Sequence, residues 1–173
     1  MTIAYTMSKG PGDTDMLLAG LADELQQRGI RTCGTVQINT DNPTGGRCDM
    51  DVRVLPEGPV IRISQSLGAG ARGCRLDSAA LEGAVGHAKA ELDKGADLLI
   101  INKFGKQEAE GGGFRDVIAQ AFARGIPVLV GLNALNRAAF LDFAGDLARP
   151  VAATRADLAD WAQGALGTAL QAA

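Results

Sequence analysis

Two short segments in the second half of the chain are apolar at every position and restrict the folds open to it. They are Leu98–Ile101 and 127–130. A run of this kind is typical of a strand that is buried on both faces inside a parallel sheet. Helical periodicity precedes each run, at about 79–94 and about 114–124. This alternation predicts an α/β fold with a mainly parallel sheet.

The other periodic segments predict further elements of the same architecture. In chain order they are a strand at 2–6, a helix at 15–27, a strand at 30–38, a hairpin at 50–55 and 60–64, and helices at 137–143 and 155–170. The hairpin is expected to be an antiparallel insertion in the sheet, because its two arms alternate apolar and polar residues around a Pro-Glu-Gly-Pro turn. Asp13 or Thr14 is a candidate N-cap for the first helix, and Gly29 is its stop signal. One domain, 1–173, is expected.

The composition of the chain argues against some classes of binding partner and some cellular locations. A net charge of −3 argues against general nucleic-acid binding, because there is no cationic excess to displace counterions from a phosphate backbone. No apolar run reaches the roughly 20 residues that cross a bilayer, and the N-terminus lacks the pattern of a signal peptide. We therefore expect a cytoplasmic protein without membrane insertion. The three cysteines form no CxxC pair, which argues against a disulfide framework.

A glycine-rich segment at 7–14 lies between the first strand and the first helix. Aligned with the phosphate-loop pattern G-x-x-x-x-G-K-[ST], it has Met7, Gly12, Asp13 and Thr14 at the four defined positions. Asp13 replaces the lysine that neutralises phosphate, so efficient ATP hydrolysis is not expected. Two interpretations stay open: anion binding through backbone N–H groups at a helix N-terminus, or a tight capped turn. The candidate ligand-binding residues of the first interpretation are Ser8, Lys9, Gly10, Gly12, Asp13 and Thr14.

A polar cluster follows the buried strand Leu98–Ile101. Ligands of parallel sheets bind at the carboxyl ends of the strands, so Asn102, Lys103 and Lys106 are candidate ligand-binding residues. Glu108 is the candidate catalytic residue. It could orient a water molecule, accept a proton, or cap the following helix.

Arginines and cysteines between 47 and 75 supply further candidates. Arg47, Arg72 and Arg75 suit bidentate contact with an oxyanion, with surface ion pairs as the alternative. Arg53 and Arg62 are expected on the solvated face of the hairpin. Cys48 and Cys74 each adjoin an arginine, which favours a thiolate that could bind a metal; the alternative is a pair of small, partly buried residues. Cys33, on a predicted strand, is expected in the core.

Three segments resemble a known family. They are 48–50 (CDM), 73–77 (GCRLD) and 102–111 (NKFGKQEAEG), and they resemble a bacterial family of uncharacterised proteins often encoded beside molybdate transporters. The element order is more distantly similar to that of the small P-loop nucleoside-triphosphatases first described from thermophiles. That resemblance implies a three-layer P-loop-like sandwich, in which Gly105 and Glu108 match an acidic-Gly-Glu cluster. Asn102 stands where the Walker B aspartate would be.

The leading hypothesis joins the anion-binding residues with the resemblance. It is an accessory protein in molybdenum handling that holds a nucleotide or a molybdate-type oxyanion in a crevice formed by loops 7–14, 39–49 and 102–113. The family implies partners from molybdate transport or molybdenum-cofactor assembly. One alternative is a slow magnesium-dependent nucleotide phosphatase or phosphotransferase that uses Lys9 and Glu108. Another is a non-catalytic interaction module, whose C-terminal helix pairs with a second subunit in a homodimer or closes the sheet of its own domain.

Overall fold

The computed structural model describes residues 2–40, 49–65 and 75–172. The strands in these ranges are β1 (Ile3–Thr6), β2 (Thr32–Thr40), β3 (Asp49–Leu55), β4 (Val60–Arg62), β5 (Leu98–Ile101), β6 (Val128–Gly131) and β7 (Ala148–Pro150). The α-helices are α1 (Asp13–Gln27), α2 (Ser78–Asp93), α3 (Lys106–Ala109), α4 (Arg115–Ala123), α5 (Arg137–Ala144) and α6 (Arg155–Ala172). Two 3-10 helices, Ala134–Asn136 and Gly145–Leu147, flank α5.

All the strands belong to one mixed sheet in the order β4-β3-β2-β5-β6-β1-β7. From β2 to β7 every neighbouring pair is parallel, whereas β3 pairs antiparallel with both β2 and β4. The mainly parallel sheet and the antiparallel hairpin are thus confirmed. Because Thr6 pairs with Gly131 and Val130 pairs with Ile101, the carboxyl ends of β1, β6 and β5 meet at one edge of the sheet.

Helices cover both faces of the sheet, which gives three layers. One face carries α1 and α6, whose core residues include Leu18, Leu25 and Leu158. The other face carries α2, α4 and α5. Leu98 and Ile100 point to the first face and Leu99 and Ile101 to the second, and none of the four is exposed. Since both sides of β5 are covered, each of its positions must be apolar, which explains the uninterrupted run.

Several local expectations need correction. The N-cap of α1 is Gly12, with φ 80°, and no side chain caps this helix, so the prediction of Asp13 or Thr14 as cap is wrong. Gly29, with φ 75°, lies just beyond the helix end, as expected. The sequence also missed α3 and β7, which span 4 and 3 residues. Elements this short carry no complete period of apolar residues, so periodicity cannot detect them.

The C-terminal helix α6 packs on its own chain. Leu158 and Ala162 are fully buried in the cluster that includes α1. Of the two roles considered for this helix, the structure shows that it covers the sheet of its own domain. Homodimerisation stays a prediction. Within the described residues, no helix is long and apolar enough to cross a membrane.

Candidate functional site

A cleft of about 720 Å³ lies at the carboxyl edge of the sheet. Its polar lining comes from the loop before α1, from β2, from the residues that follow β5 and from the residues that follow β6. The hairpin and the start of α2 supply an apolar wall. Within the described ranges, the polar and charged residues that line the cleft are Asp15, Thr35, Gln37, Arg75, Asn102, Lys103, Lys106, Glu108, Asn133 and Asn136.

Asn102 organises the centre of this cleft. It follows β5 directly and is only 4% exposed. Its Oδ1 accepts the backbone N–H of Gln37 at 2.8 Å, so the side chain extends the β2–β5 ladder by one more bond. Its Nδ2 donates to Oδ1 of Asp15, at 2.9 Å, in the first turn of α1. An amide can do both, because it carries a donor and an acceptor, whereas an ionised aspartate carries acceptors only.

Asn102→Asp, which would restore a Walker B aspartate, is expected to lower the free energy of unfolding by about 2 kcal/mol. The change removes the donor to Asp15 and places two carboxylates in contact at a buried position. The loss should shrink as the pH is lowered, because one of the two adjacent carboxyl groups can then take up a proton and donate again. Chemical denaturation at two pH values measures both effects.

The matched control for this prediction is the double variant Asn102→Asp, Asp15→Asn. It reverses the amide and the carboxylate, so much of the lost stability should return at neutral pH. If Asn102→Asp alone is as stable as the parent chain, the contact between Asn102 and Asp15 contributes nothing measurable.

Three cations from the described part of the chain line the cleft: Arg75, Lys103 and Lys106. Nη2 of Arg75 lies 3.6 Å from Oδ1 of Asp49. Nζ of Lys106 lies 3.6 Å from Oε1 of Glu110, and since both side chains are exposed this pair contributes little. Among the described residues, Lys103 has no ion-pair or hydrogen-bond partner, and it is exposed. The cluster predicted after β5 therefore contributes two lysines to one cleft.

Glu108 holds together the backbone that surrounds these lysines. It is 2% exposed. Its Oε2 accepts the N–H of Gly105 at 2.8 Å, at the start of α3, and its Oε1 accepts the N–H of Phe114 at 3.1 Å, just before α4. Burial raises the pKa of this carboxyl above its usual range, and the two backbone N–H groups offset part of the rise. The geometry matches the capping alternative; a catalytic role stays a prediction.

The loop between β1 and α1 separates the cleft from a second cavity. That cavity, of about 600 Å³, is lined by Met7, Ser8, Lys9, Asp13, Met16, Leu17 and Ala153. Only Pro11 and Gly12 of the loop reach the larger cleft. Ser8, Lys9 and Asp13 thus line the second cavity and not the cleft of the two lysines, and their role as ligand-binding residues stays a prediction. The backbone turn at Gly12, in the left-handed region, separates the two sides of the loop.

Within the loop, protein groups occupy much of the space that a phosphate would need. The N–H of Ser8 donates to Oγ1 of Thr14 at 3.0 Å. The Asp13 carboxylate lies against Gly10, where an added Cβ would overlap it. Pro11 has no N–H to offer. The buried hydroxyl of Ser8 has no partner among the described residues, so one polar group of the loop is left for a ligand.

Other candidates are distributed as follows. Arg47, Arg72, Cys48 and Cys74 lie outside the described residues. Cys33 is fully buried in the core, as predicted, and burial raises the pKa of its thiol to about 12. Within the described ranges, no three His, Cys, Asp or Glu side chains converge as a metal site. The expected solvated face of the hairpin carries Arg62, which pairs with Asp49 at 3.0 Å and is 54% exposed.

Sequence reasoning missed five polar or charged residues among those that line the described part of the cleft: Asp15, Thr35, Gln37, Asn133 and Asn136. Asn133 could have been found, because it follows β6 closely, as Asn102 follows β5, and the strand-end rule applies to both. Its Oδ1 accepts the N–H of Asn136 at 3.0 Å, which starts the 3-10 helix there. Gln37 and Asp15 gave no such signal, since one lies within a strand and the other within a helix.

A family model described as "Protein of unknown function (DUF2478)" matches residues 3–161. The chain belongs to this family. The chain is also 36% identical, over 159 residues, to a Bradyrhizobium diazoefficiens protein named molybdenum import ATP-binding protein ModC 2. The match covers 92% of this chain but 18% of that protein, so the chain spans about a fifth of its relative's length.

Among solved structures, the chain is similar to the solution structure of a human cancer-related nucleoside triphosphatase. The TM-score is 0.59 at 18% identity, and the match covers 99% of this chain and 98% of that one. At this identity the likeness shows the fold alone. It confirms the P-loop nucleoside-triphosphatase-like architecture of the DUF2478 chain.

Proposed function

We propose that this DUF2478 protein is an anion-binding accessory protein, and that the anion binds in the cleft beside Asn102. The observation that carries the proposal is the grouping of Arg75, Lys103 and Lys106 around one cleft at the carboxyl edge of the sheet. The acids of the same cleft already accept hydrogen bonds from the protein: Glu108 from two backbone N–H groups and Asp15 from Asn102. The lysine side chains therefore supply the positive charge available to a ligand.

The cleft is a better anion site than the glycine-rich loop. Asp13 lies in the first turn of α1 and lines the loop cavity, so its negative charge would repel an anion at the helix N-terminus. Ser8 and Pro11 withhold two of the N–H groups that a phosphate-binding loop would present. Both features support a degenerate phosphate loop, with binding moved to the lysines after β5.

The fold of nucleoside-triphosphatases implies a magnesium ion. The residues at the corresponding positions of this chain offer poor ligands for it. The ion needs oxygen ligands, preferably carboxylates. Asn102 presents an amide whose Oδ1 accepts from Gln37, and Oγ1 of Thr14 accepts from Ser8. The Walker B position and the loop threonine therefore offer the ion no carboxylate, and the proposal contains no phosphoryl transfer.

The proposed role in molybdenum handling rests on similarity to one named protein. A Bradyrhizobium protein named for molybdenum import contains a segment 36% identical to this chain. We propose that the chain acts in molybdenum handling, with a protein of molybdate transport or of cofactor assembly as its partner. The ligand is then a molybdate-type oxyanion or a nucleotide.

Lys103→Ala is expected to weaken anion binding by at least about tenfold, because one charge-assisted hydrogen bond is worth roughly 1.5–3 kcal/mol. The melting temperature without ligand should stay the same, since no described residue pairs with Lys103. The measurement is a thermal-shift titration with molybdate, tungstate, phosphate and sulfate, and with ATP and GTP with and without magnesium. A ligand at about a hundred times its dissociation constant stabilises the folded state by about 2.7 kcal/mol.

Two further lysine variants locate the site. Lys89→Ala removes an exposed charge from α2 outside the cleft and should leave every affinity unchanged. Lys9→Ala removes the lysine of the second cavity and should do the same. An affinity loss in Lys9→Ala, with none in Lys103→Ala, would place the anion at the glycine-rich loop instead. No shift with any of these anions would reject anion binding.

A further inference from the structure

The geometry points to a more specific ligand: an organic anion with an apolar body about the size of an aromatic ring, seated on the hairpin wall of the cleft. This inference rests on the proposed anion site and names its ligand class. A bare oxyanion would use only the polar part of the cleft, whereas an amphipathic anion would use both parts.

The apolar wall is the first observation. It consists of side chains from β3, from the residue after β4, from the start of α2 and the segment before it, and from the residue before α4: Met50, Val52, Ile63, Leu76, Leu81 and Phe114. Met50 and Leu76 are half-buried, and the other four are buried. The wall belongs to the β2–β3 side of the sheet, away from the loop before α1.

The size of the cleft is the second observation. A volume of about 720 Å³ is within the roughly 300–1,000 Å³ of pockets that bind organic ligands. Such pockets combine an apolar lining with a few polar groups that fix orientation. A tetrahedral oxyanion spans only a few ångströms and would fill a small part of this volume.

The arrangement of charge is the third observation. Lys103 and Lys106 flank one stretch of backbone, 102–106, and Asn102, Asn133 and Gln37 add amide groups beside them. The two lysines are thus concentrated on one side, whereas Arg75 adjoins Leu76 of the apolar wall, and the apolar side chains come from elements other than the lysine segment. A ligand complementary to this cleft carries its anionic group at one end and its apolar body at the other.

Inorganic phosphate and three of its monoesters of rising apolar size test this inference, at a pH above the second pKa of each probe so that all are dianions. The probes are inorganic phosphate, methyl phosphate, phenyl phosphate and naphthyl phosphate, measured by calorimetric titration of the full chain. Phenyl phosphate is expected to bind at least about tenfold more tightly than methyl phosphate, because the ring buries apolar surface that the methyl group lacks.

Substitutions in the apolar wall and in the polar part of the cleft distinguish the contribution of apolar contact from that of charge. Leu76→Ala should reduce the gain between methyl and phenyl phosphate to about threefold or less while leaving phosphate affinity unchanged. Lys103→Ala should weaken all four probes by a similar factor. Leu135→Ala is the control, because Leu135 is 87% exposed and does not line the cleft.

The outcomes distinguish this inference from the proposed function. Phenyl phosphate that binds no better than methyl phosphate overturns the inference and leaves anion binding intact. A gain that persists unchanged in Leu76→Ala also overturns it, because the apolar body would then lie elsewhere. Failure of all four phosphate probes, together with molybdate, overturns the anion site and the inference with it.

Discussion

Glu108→Ala is expected to lower the free energy of unfolding by about 3 to 5 kcal/mol, the largest loss for any single side chain at the site. The change leaves the N–H groups of Gly105 and Phe114 without acceptors in a buried environment. It also opens a space beside Gly113, whose α-carbon lies against the carboxylate. Urea denaturation of the variant and the parent chain measures the difference.

Glu110→Ala is the control, because it removes an exposed carboxylate from the adjoining position and should change stability by less than about 1 kcal/mol. Equal stability of Glu108→Ala and Glu110→Ala would contradict the bracing role of Glu108. Glu108→Gln keeps one acceptor and should fall between the two. Any test of catalysis by Glu108→Gln must therefore be made below the melting temperature of the variant.

The raised pKa of Glu108 also predicts a dependence on pH. A carboxyl whose pKa is higher in the folded state binds its proton more tightly there, so folding is favoured at low pH. The contribution is complete below the unfolded value of 4.5 and is lost as pH rises through the folded value. The stability of the parent chain relative to Glu108→Gln should therefore decrease across that interval, and an increase would show that the folded pKa is depressed.

Gly131→Ala is expected to cost about 3 kcal/mol or more and to weaken ligand binding as well. Gly131 ends β6 beside β5, and an added Cβ would overlap the backbone oxygen of Asn102. The carbonyl oxygen of Gly131 also accepts the N–H of Phe104 at 2.9 Å. Since both partners are backbone atoms in a packed sheet, neither can yield without moving the residues that follow β5.

The control for Gly131→Ala is the same substitution at Gly86, on the exposed side of α2. A Cβ there meets nothing within 4 Å, and alanine is favoured over glycine in helices by about 0.5 to 1 kcal/mol. Gly86→Ala should therefore raise the melting temperature while Gly131→Ala lowers it. Opposite signs for one chemical change would show that contact with Asn102, and not loss of glycine, destabilises the sheet.

Both expected losses concern the support of the binding residues and not the residues themselves. Glu108 and Gly131 hold the backbone at 102–108 from two sides. Lys103 and Lys106 extend from that backbone into the cleft. The buried groups therefore keep the backbone rigid, and the lysines supply the charge that binds the anion. Changes at the buried groups should alter the free energy of unfolding, whereas changes at the lysines should alter only the affinity for the anion.

The sequence by itself determined the layered fold and the edge of the sheet where the cleft lies. Residues 98–101 are apolar at every position because helices cover β5 on both faces. A strand buried on both faces can therefore be recognised from its own residues, without knowledge of its neighbours. The position of the lysines after β5 followed from the same reasoning, since a polar cluster directly after a buried strand must emerge at its carboxyl end. Both inferences use only local order along the chain.

Only the tertiary structure decided which of these groups meet. Asn102 contacts Asp15 across 87 positions of sequence and Gln37 across 65, and neither contact has a spacing rule. The structure likewise placed Ser8 and Lys9 in a different cavity from Lys103. The physical reason is that the direction of a loop side chain depends on backbone dihedral angles, here the left-handed turn at Gly12, and on the elements packed around it.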